Sequence, residues 1–561
     1  MIIESFKNQK EILKLILFII SFVFIGCEKP IVNTKDMYSV VPYPESLVVK
    51  NGQFKLNKNT KFIIINNTDV LKESSTVFRN LIKQKLGFDL NIETQKPKNK
   101  NYISIEINSS SNSEEAYTLS VSEKSIHLIG NSEKGVFNGL QTLRQLLKID
   151  LLNDHKKIDE ITIPNVEITD SPRYNWRGVM VDESRHFFGK AKIKQLLELM
   201  SLQKLNKFHW HLTDAPGWRL EIKKYPKLTS IGAIGNYSNP NTKPQFYTQD
   251  DIKEIVQFAT QRHIEIIPEI DMPGHASAAI RAYPELSGGG TKKHPHFTFH
   301  PARTSTYQFL TDVLKEVSSL FPSKYIHIGA DEVSFGNQHW QNDKEVITLM
   351  KRNNLDNIKQ VETYFINRIR DTIISLKKEV IGWDEVVENN MNNEKTIAMW
   401  WRHDKPEILN KGLANNYNMI LCPRKPMYFD FVQHESHSFG RRWDGFGAVN
   451  DVYNFPDALS NINVSNPKIL GIQGNLWTEQ INTEKRFDFM LYTRMSALSE
   501  AAWTSKTNKS FENFENRLKY IFSIYKTKNI HYFNYFVPEN TKEPGAILKP
   551  KWTQNFSTFK N

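Results

Sequence analysis

The chain has 561 residues, more than one ordinary domain holds, which implies about two or three domains. Its 39% hydrophobic content, with 25 Gly and 24 Pro, excludes a disordered or low-complexity protein, and its two cysteines exclude a disulfide framework. The net charge of +12 comes largely from lysines spread along the chain without an arginine-rich stripe, so it describes a solvated basic surface and no nucleic-acid partner.

At the N-terminus, Lys7, Lys10 and Lys14 lead into an uncharged apolar run from Leu15 to Gly26, too short for a permanent membrane span. Phe24-Ile25-Gly26-Cys27 resembles the end of a bacterial lipoprotein signal, with Phe24 where such signals usually carry Leu. Residues 1–27 are therefore expected to be a signal peptide. Cys27 would be the lipidated first residue of an exported protein anchored to a bacterial membrane. A plain secretory signal and an uncleaved anchor are the alternatives, and both also export the chain.

Residues 36–169 alternate strand and helix signals. Lys61–Ile65 and Tyr102–Ile107 read as strands, and Tyr117–Val121 with Ser125–Leu128 reads as a hairpin around Glu123-Lys124. A helix follows with Val136, Leu140, Leu143 and Leu147 on one face. This segment is expected to be a small α+β domain without a catalytic cluster. All 11 tryptophans lie at or after Trp176, and that shift in composition marks a boundary near Asp170-Ser171-Pro172-Arg173.

Beyond the boundary, strand-like runs recur at Arg177–Val181, Lys207–Leu212, Ile264–Ile270, Tyr325–Gly329, Val380–Trp383, Thr396–Trp401, Asn418–Cys422 and Ile469–Gln473. Amphipathic helices separate several of them. Ile193, Leu196, Leu197 and Met200 share one helical face, as do Ile252, Ile255, Val256 and Ala259 after a capping pair at Thr248 and Asp251. The alternation predicts an α/β fold, a (β/α)8 TIM barrel over residues 173–515. The fifth connection, Asp384 to Lys395, is too short and Asn-rich for a clear helix, and the seventh, Pro423 to Lys468, is a long aromatic loop. Residues 516–561 form an aromatic extension expected to pack on the barrel. Nothing in the pattern indicates an oligomeric state.

Barrel active sites sit where the strands end. Arg185 follows the first run, Asp214 the second, and Glu269-Ile270-Asp271-Met272-Pro273-Gly274-His275 closes the third. Asp331-Glu332 follows the fourth, Trp383 ends the fifth and Trp401 the sixth. Tyr428 and Asp430 lie beyond the seventh, Trp477 and Glu479 beyond the eighth. Acid–base chemistry on a sugar needs one carboxyl that donates a proton and one that stays charged. Asp331 and Glu332 are candidates, expected to meet different environments because successive strand residues point to opposite sides.

At these positions the sequence resembles the β-N-acetylhexosaminidases of glycoside hydrolase family 20, from about Val41 to Thr504. The blocks that carry the likeness are Asp182-Glu183-Ser184-Arg185-His186-Phe187, His209-Trp210-His211-Leu212-Thr213-Asp214, Pro268 to His275, and Leu476-Trp477-Thr478-Glu479. The chain departs from the pattern at Ala330, where a second glycine is usual, and at Ala215-Pro216, which replaces Asp-Gln. The resemblance implies retaining, substrate-assisted hydrolysis of a glycan or chitooligosaccharide, an exception to the two-carboxylate scheme. It implies that Glu332 is the general acid and base, that Asp331 orients the substrate's acetamido N–H, and that Tyr428 bonds the acetamido oxygen. It gives Trp383, Trp401 and Trp477 the walls, Arg185, Asp430 and Glu479 the outer hydroxyls, and Asp214 and His275 a supporting network. No cofactor or metal is implied.

Two other functions compete. His209 and His211 at a strand end, with His275 and His327, would suit a metal-dependent barrel hydrolase. A glycan-binding surface lipoprotein without turnover would need a missing acid, and Glu332 is present. The His294, His296 and His300 cluster lies in a Lys-rich loop and is expected to be solvated.

Overall fold

The computed structural model describes residues 32–93, 95, 101–111, 113–154, 158–443, 445–460, 462–546 and 551–553. The signal-type segment and Cys27 lie outside these residues. Among the described residues no helix is long and apolar enough to cross a membrane.

The first domain is built on β1 (Ser46–Asn57), β2 (Lys61–Ile64), β3 (Ile92–Glu93), β4 (Tyr102–Ile107), β5 (Tyr117–Val121), β6 (Ser125–Gly130) and β7 (Glu160–Asp170). Their spatial order is β1-β7-β5-β6-β4-β2-β3, a mixed sheet. The hairpin around Glu123-Lys124 pairs β5 with β6, setting Val121 opposite Ile126. The antiparallel pair β1 and β7 carries no clear signal in the sequence, because the first half of β1 stays exposed and its register slips between Val49 and Gln53.

The helix Glu133–Leu146 starts at Ser132, whose side chain accepts from the Lys134 N–H. Val136, Leu140 and Leu143 pack into the sheet's core, and the opposite face is buried as well because the barrel covers it. From that face Arg144 reaches Asp150 (2.7 Å) and Glu198 of a barrel helix (2.7 Å), while Arg262 holds the other oxygen of Glu198 (2.7 Å). Burial alone would raise both carboxyls, but Arg144, helped by Lys528 at Asp150 and Arg262 at Glu198, holds each at about 2. Folded values below the ordinary carboxyl range of about 4 mean this contribution is complete above about pH 5 and lost as pH falls through about 2. The melting temperature is therefore expected to drop steeply in acid, and Glu198→Gln should show a smaller drop when the two proteins are melted across the same pH series.

The boundary residue Asp170 is a buried junction. Its carboxylate accepts from Tyr117 Oη (2.6 Å), Lys204 Nζ (2.9 Å), Trp503 Nε1 (2.9 Å) and the Glu45 N–H (3.1 Å). Trp503, which ends the last barrel helix, sits in the core of the first domain. The tryptophan shift thus marks the barrel in sequence, while one of its indoles glues the two units in space.

The second domain is a closed barrel of eight parallel strands: β8 (Trp176–Asp182), β9 (Lys207–His211), β10 (Glu265–Met272), β11 (Tyr325–Gly329), β12 (Glu379–Trp383), β13 (Thr396–Trp400), β14 (Asn418–Leu421) and β15 (Ile469–Leu476), with β15 pairing back onto β8. Each expected run falls on one of them. Side chains alternate across the wall, so Met180 joins the inner core with Ile267, Ile381, Ile397 and Ile420, while Val179 and Val181 face the helices. The capping box of Thr248 and Asp251 opens the helix Gln249–Thr260. The fifth connection holds only a one-turn helix, Glu385–Glu388. Past the barrel, the helix Phe511–Thr527 buries Phe514, Leu518, Ile521 and Tyr525 against the outer core, and Arg517 grips Glu500 (2.5 Å).

Candidate active site

A cavity of about 180 Å³ opens at the C-terminal mouth of the barrel. Arg185, His275, Asp331, Glu332, Trp401, Tyr428, Trp477 and Glu479 line it. Three expected residues do not reach its surface. Asp214 is held beneath by Arg185 and His275, Asp430 stands behind Arg441, and Trp383 packs one layer deeper against Trp477, ring centroids 5.8 Å apart. Of the two neighbouring indoles, Trp401 faces the cavity and Trp400 is buried in the outer core.

The pair Asp331-Glu332 does not continue the strand pleat. β11 stops at Gly329, and the backbone then turns left-handed at Gly329 (φ +67), Ala330 (φ +69) and Glu332 (φ +52). The expectation that the two side chains point to opposite sides of a strand is therefore corrected: the turn brings both carboxyls to the same cavity. His275 Nε2 lies 3.6 Å from Asp331 and 3.5 Å from Glu332. Ala330 carries its methyl through a conformation that costs an ordinary residue roughly 1–2 kcal/mol. Gly329 has no such latitude, because a Cβ there would lie 1.8 Å from Asp271 Oδ1. Gly329→Ala is expected to destabilise by about 2–4 kcal/mol and to abolish turnover by displacing the pair, as thermal melts and kcat would show.

Beneath the pair runs a chain of charges. Asp214 receives Arg185 Nη2 (2.6 Å), His211 Nε2 (2.9 Å) and His275 Nδ1 (3.1 Å). Burial would lower His275, but the neighbouring carboxyls, Asp214 foremost, outweigh it and hold the imidazole well above its ordinary value, as a cation. Burial pushes Asp331 up to about 7, with His275 opposing and Glu332 adding to the rise. Glu332 goes the other way: burial would raise it, but the hydrogen bond and charge of His275, with Arg185, bring it below the usual range. Asp271, buried beside Asp331, is raised well above its ordinary value by burial and by that neighbour. Within the pair, the surroundings thus favour a proton on Asp331 over Glu332.

Of the histidines considered for a metal, His209, His211 and His327 are arranged around Glu269, while His275 stands apart on Asp214. His209 Nε2 (2.9 Å) and His211 Nδ1 (2.5 Å) meet Glu269 Oε2, while His327 Nδ1 (3.1 Å) and Trp383 Nε1 (3.1 Å) meet Oε1. His209 Nδ1 faces Gln473 Nε2 (3.0 Å). Glu269 takes up the N–H groups of these imidazoles, and all of these groups are buried. In the second histidine cluster, His300 is buried and His294 and His296 are half-buried, His294 stacking on Phe335, which corrects the expectation of a solvated loop.

The model of glycosyl hydrolase family 20, catalytic domain, matches residues 174–506, and that of the family's domain 2 matches residues 37–171. The chain belongs to glycosyl hydrolase family 20. It is 31% identical over 518 residues to a beta-hexosaminidase of Porphyromonas gingivalis, covering 91% of this chain and 65% of that protein. It is 34% identical to a beta-hexosaminidase of Vibrio furnissii, covering 70% and 66%. The chain thus spans just under two thirds of the length of these two relatives. A solved exo beta-N-acetylglucosaminidase from Vibrio harveyi, in complex with N-acetylglucosamine, matches with a TM-score of 0.80 at 30% identity, over 90% of this chain and 79% of that one.

Within this family 20 chain, sequence reasoning passed over Arg424, Arg441 and Trp443, which also line the cavity. All three come from the long seventh connection. Arg424 is sandwiched between the Trp401 ring (5.2 Å) and the Trp443 ring (5.1 Å), and Trp443 stands 60% exposed at the rim. An exposed indole beside a polar cavity is the one signal that could have singled out Trp443.

Proposed function

We propose that this protein is a retaining exo-β-N-acetylhexosaminidase that removes terminal β-linked N-acetylhexosamine by substrate-assisted catalysis. The observation that carries this is the placement of the carboxyls. Asp331 and Glu332 are neighbours that share one imidazole nitrogen, whereas Asp214, Asp430 and Glu479 are each tied to an arginine. A double-displacement glycosidase sets nucleophile and acid about 5–5.5 Å apart on either side of the bond. No untied carboxylate stands opposite Glu332 among the described residues lining the cavity, so the attacking atom is best supplied by the substrate's own acetamido oxygen.

In this mechanism Glu332 protonates the leaving oxygen while the acetamido oxygen closes on the anomeric carbon, giving an oxazolinium ion. Glu332 then takes a proton from water as the ring opens, and the product keeps its anomeric configuration. Asp331 accepts the acetamido N–H and offsets the growing positive charge. The resting protonation must reverse for this to work, and the substrate itself supplies the cause. The Glu332 side chain is 35% exposed, so a sugar bound against it strips its water and raises it. An N–H donated to Asp331 lowers that carboxyl, moving the proton to where it is needed. Trp401, Trp477 and Tyr428 exclude water that would compete with the intramolecular attack.

The test is hydrolysis of paired chromogenic β-GlcNAc and β-GalNAc substrates beside an unacetylated β-glucoside. Cleavage of the acetamido sugars alone, with retention at the anomeric centre by NMR, is expected. Comparable cleavage of the glucoside, or an inverted product, would overturn the mechanism. A second proposal concerns export: Cys27 carries the lipid anchor, so cells fed radiolabelled palmitate should label the wild type and leave a Cys27→Ser variant unlabelled.

A further inference from the structure

The seventh connection does more than deliver Tyr428 and Asp430. At Gly440 (φ +117) the chain doubles back against itself, where a Cβ would meet Val432 Cγ1 at 2.8 Å and the Asp430 carbonyl at 3.2 Å. The next residue, Arg441, is pinned by two backbone bonds, its N–H to the Asp430 carbonyl (3.2 Å) and its carbonyl from the Val432 N–H (2.9 Å). These bonds fix the backbone of residue 441 against that of residues 430 and 432. The Arg441 side chain then spans two carboxylates, with Nε on Asp430 Oδ2 (2.8 Å) and Nη2 on Glu479 Oε1 (2.5 Å).

This brace has an unspent side. Arg441 lines the cavity and remains 32% exposed, and its Nη1 takes no bond among the described residues. Glu479 Oε2 is buried beside it without a hydrogen-bond partner. Asp430, by contrast, is 3% exposed and lies behind the guanidinium. A rigid N–H donor and a bare carboxylate oxygen thus stand next to each other on the cavity wall, an arrangement matched to a hydroxyl-bearing edge of a sugar ring.

We propose that Arg441 is a substrate-binding, specificity-determining residue: its Nη1 donates to an outer hydroxyl of the terminal sugar, with Glu479 accepting from the same edge and Asp430 bracing the guanidinium. The proposal rests on the glycosidase reading above and adds a direct ligand to it. It also sets the polarity of recognition. A hydroxyl held by an arginine acts as acceptor, so fluorine, which accepts weakly and cannot donate, should be tolerated better there than hydrogen. A hydroxyl held by a carboxylate acts as donor, and both replacements should fail alike.

The experiment compares calorimetric affinity for methyl thioglycosides of 2-acetamido-2-deoxy-glucose with their 4-deoxy, 6-deoxy, 4-fluoro and 6-fluoro forms. In the wild type, one deoxy form is expected to bind roughly 10-fold or more worse than the parent, with its fluoro counterpart recovering part of the loss. In Arg441→Leu the parent should weaken by a similar factor and that deoxy penalty should shrink below about 3-fold. Arg441→Lys keeps the charge that Asp430 and Glu479 require but loses the fork, and should show the same collapse of the deoxy penalty in a securely folded protein. An unchanged penalty in both variants, or equal rejection of deoxy and fluoro forms by the wild type, would overturn the role of Arg441. Failure of the wild type to cleave any acetamido glycoside would instead overturn the reading on which it stands.

Discussion

Glu332→Gln is expected to lower kcat/KM on a β-linked disaccharide of N-acetylhexosamine by roughly 10³–10⁴-fold. The leaving oxygen of a sugar is a poor nucleofuge, and glutamine cannot protonate it. With a 2,4-dinitrophenyl glycoside the leaving group needs no proton, so kcat/KM, which reports the first step, should fall by less than about 10-fold. Its kcat should still collapse, because the same side chain no longer activates water, and a burst of dinitrophenolate should precede slow turnover. The pH profile supplies an independent check. In the free protein the pair loses its shared proton near the value of about 7 carried by Asp331, so kcat/KM on the disaccharide should decline above that pH. That limb should vanish for the dinitrophenyl substrate in the variant. Equal losses with both leaving groups would remove Glu332 from the role of acid.

The barrel and most of its polar lining were legible because each carries a local signal. Strand runs such as Tyr325–Gly329 are short, apolar and bounded by turn residues, and a parallel barrel buries both faces of every strand. Their ends could be counted, so Arg185, His275, Asp331, Glu332, Trp477 and Glu479 could be placed at one mouth before any contact was known. What escaped is tertiary in origin. The edge pair β1 and β7 is held by long-range pairing, with Leu47 opposite Ile168, more than by its own pattern. The direction of the Asp331 side chain depends on three left-handed residues, and only Gly329 announces one in sequence. Arg441 is a single arginine in a long loop, and nothing local says that its chain doubles back to Asp430. The depth ordering of Trp383 and Asp430 behind the cavity wall also follows from packing alone.

Asp331→Asn should produce the second large effect, a loss of about 10²–10³ in kcat with a much smaller change in KM. The argument turns on when the charge matters. Asp331 is buried beside Glu332, and burial with that neighbour's charge outweighs the opposing His275 cation 3.6 Å away, so its ionised form is costly. The ground-state amide asks only for a hydrogen-bond acceptor, which the asparagine oxygen can still provide. The transition state asks for more, because positive charge spreads over the closing ring and its N–H becomes strongly acidic. A carboxylate stabilises that change and an amide does not, so the deficit appears in the barrier. A cyclic thiazoline that copies the closed ring should therefore lose affinity for Asp331→Asn by nearly the factor lost in kcat/KM, while free N-acetylglucosamine should lose only a few-fold. If the thiazoline and the sugar weakened by the same small factor while kcat stayed near wild type, the closing ring would not be what this carboxylate serves.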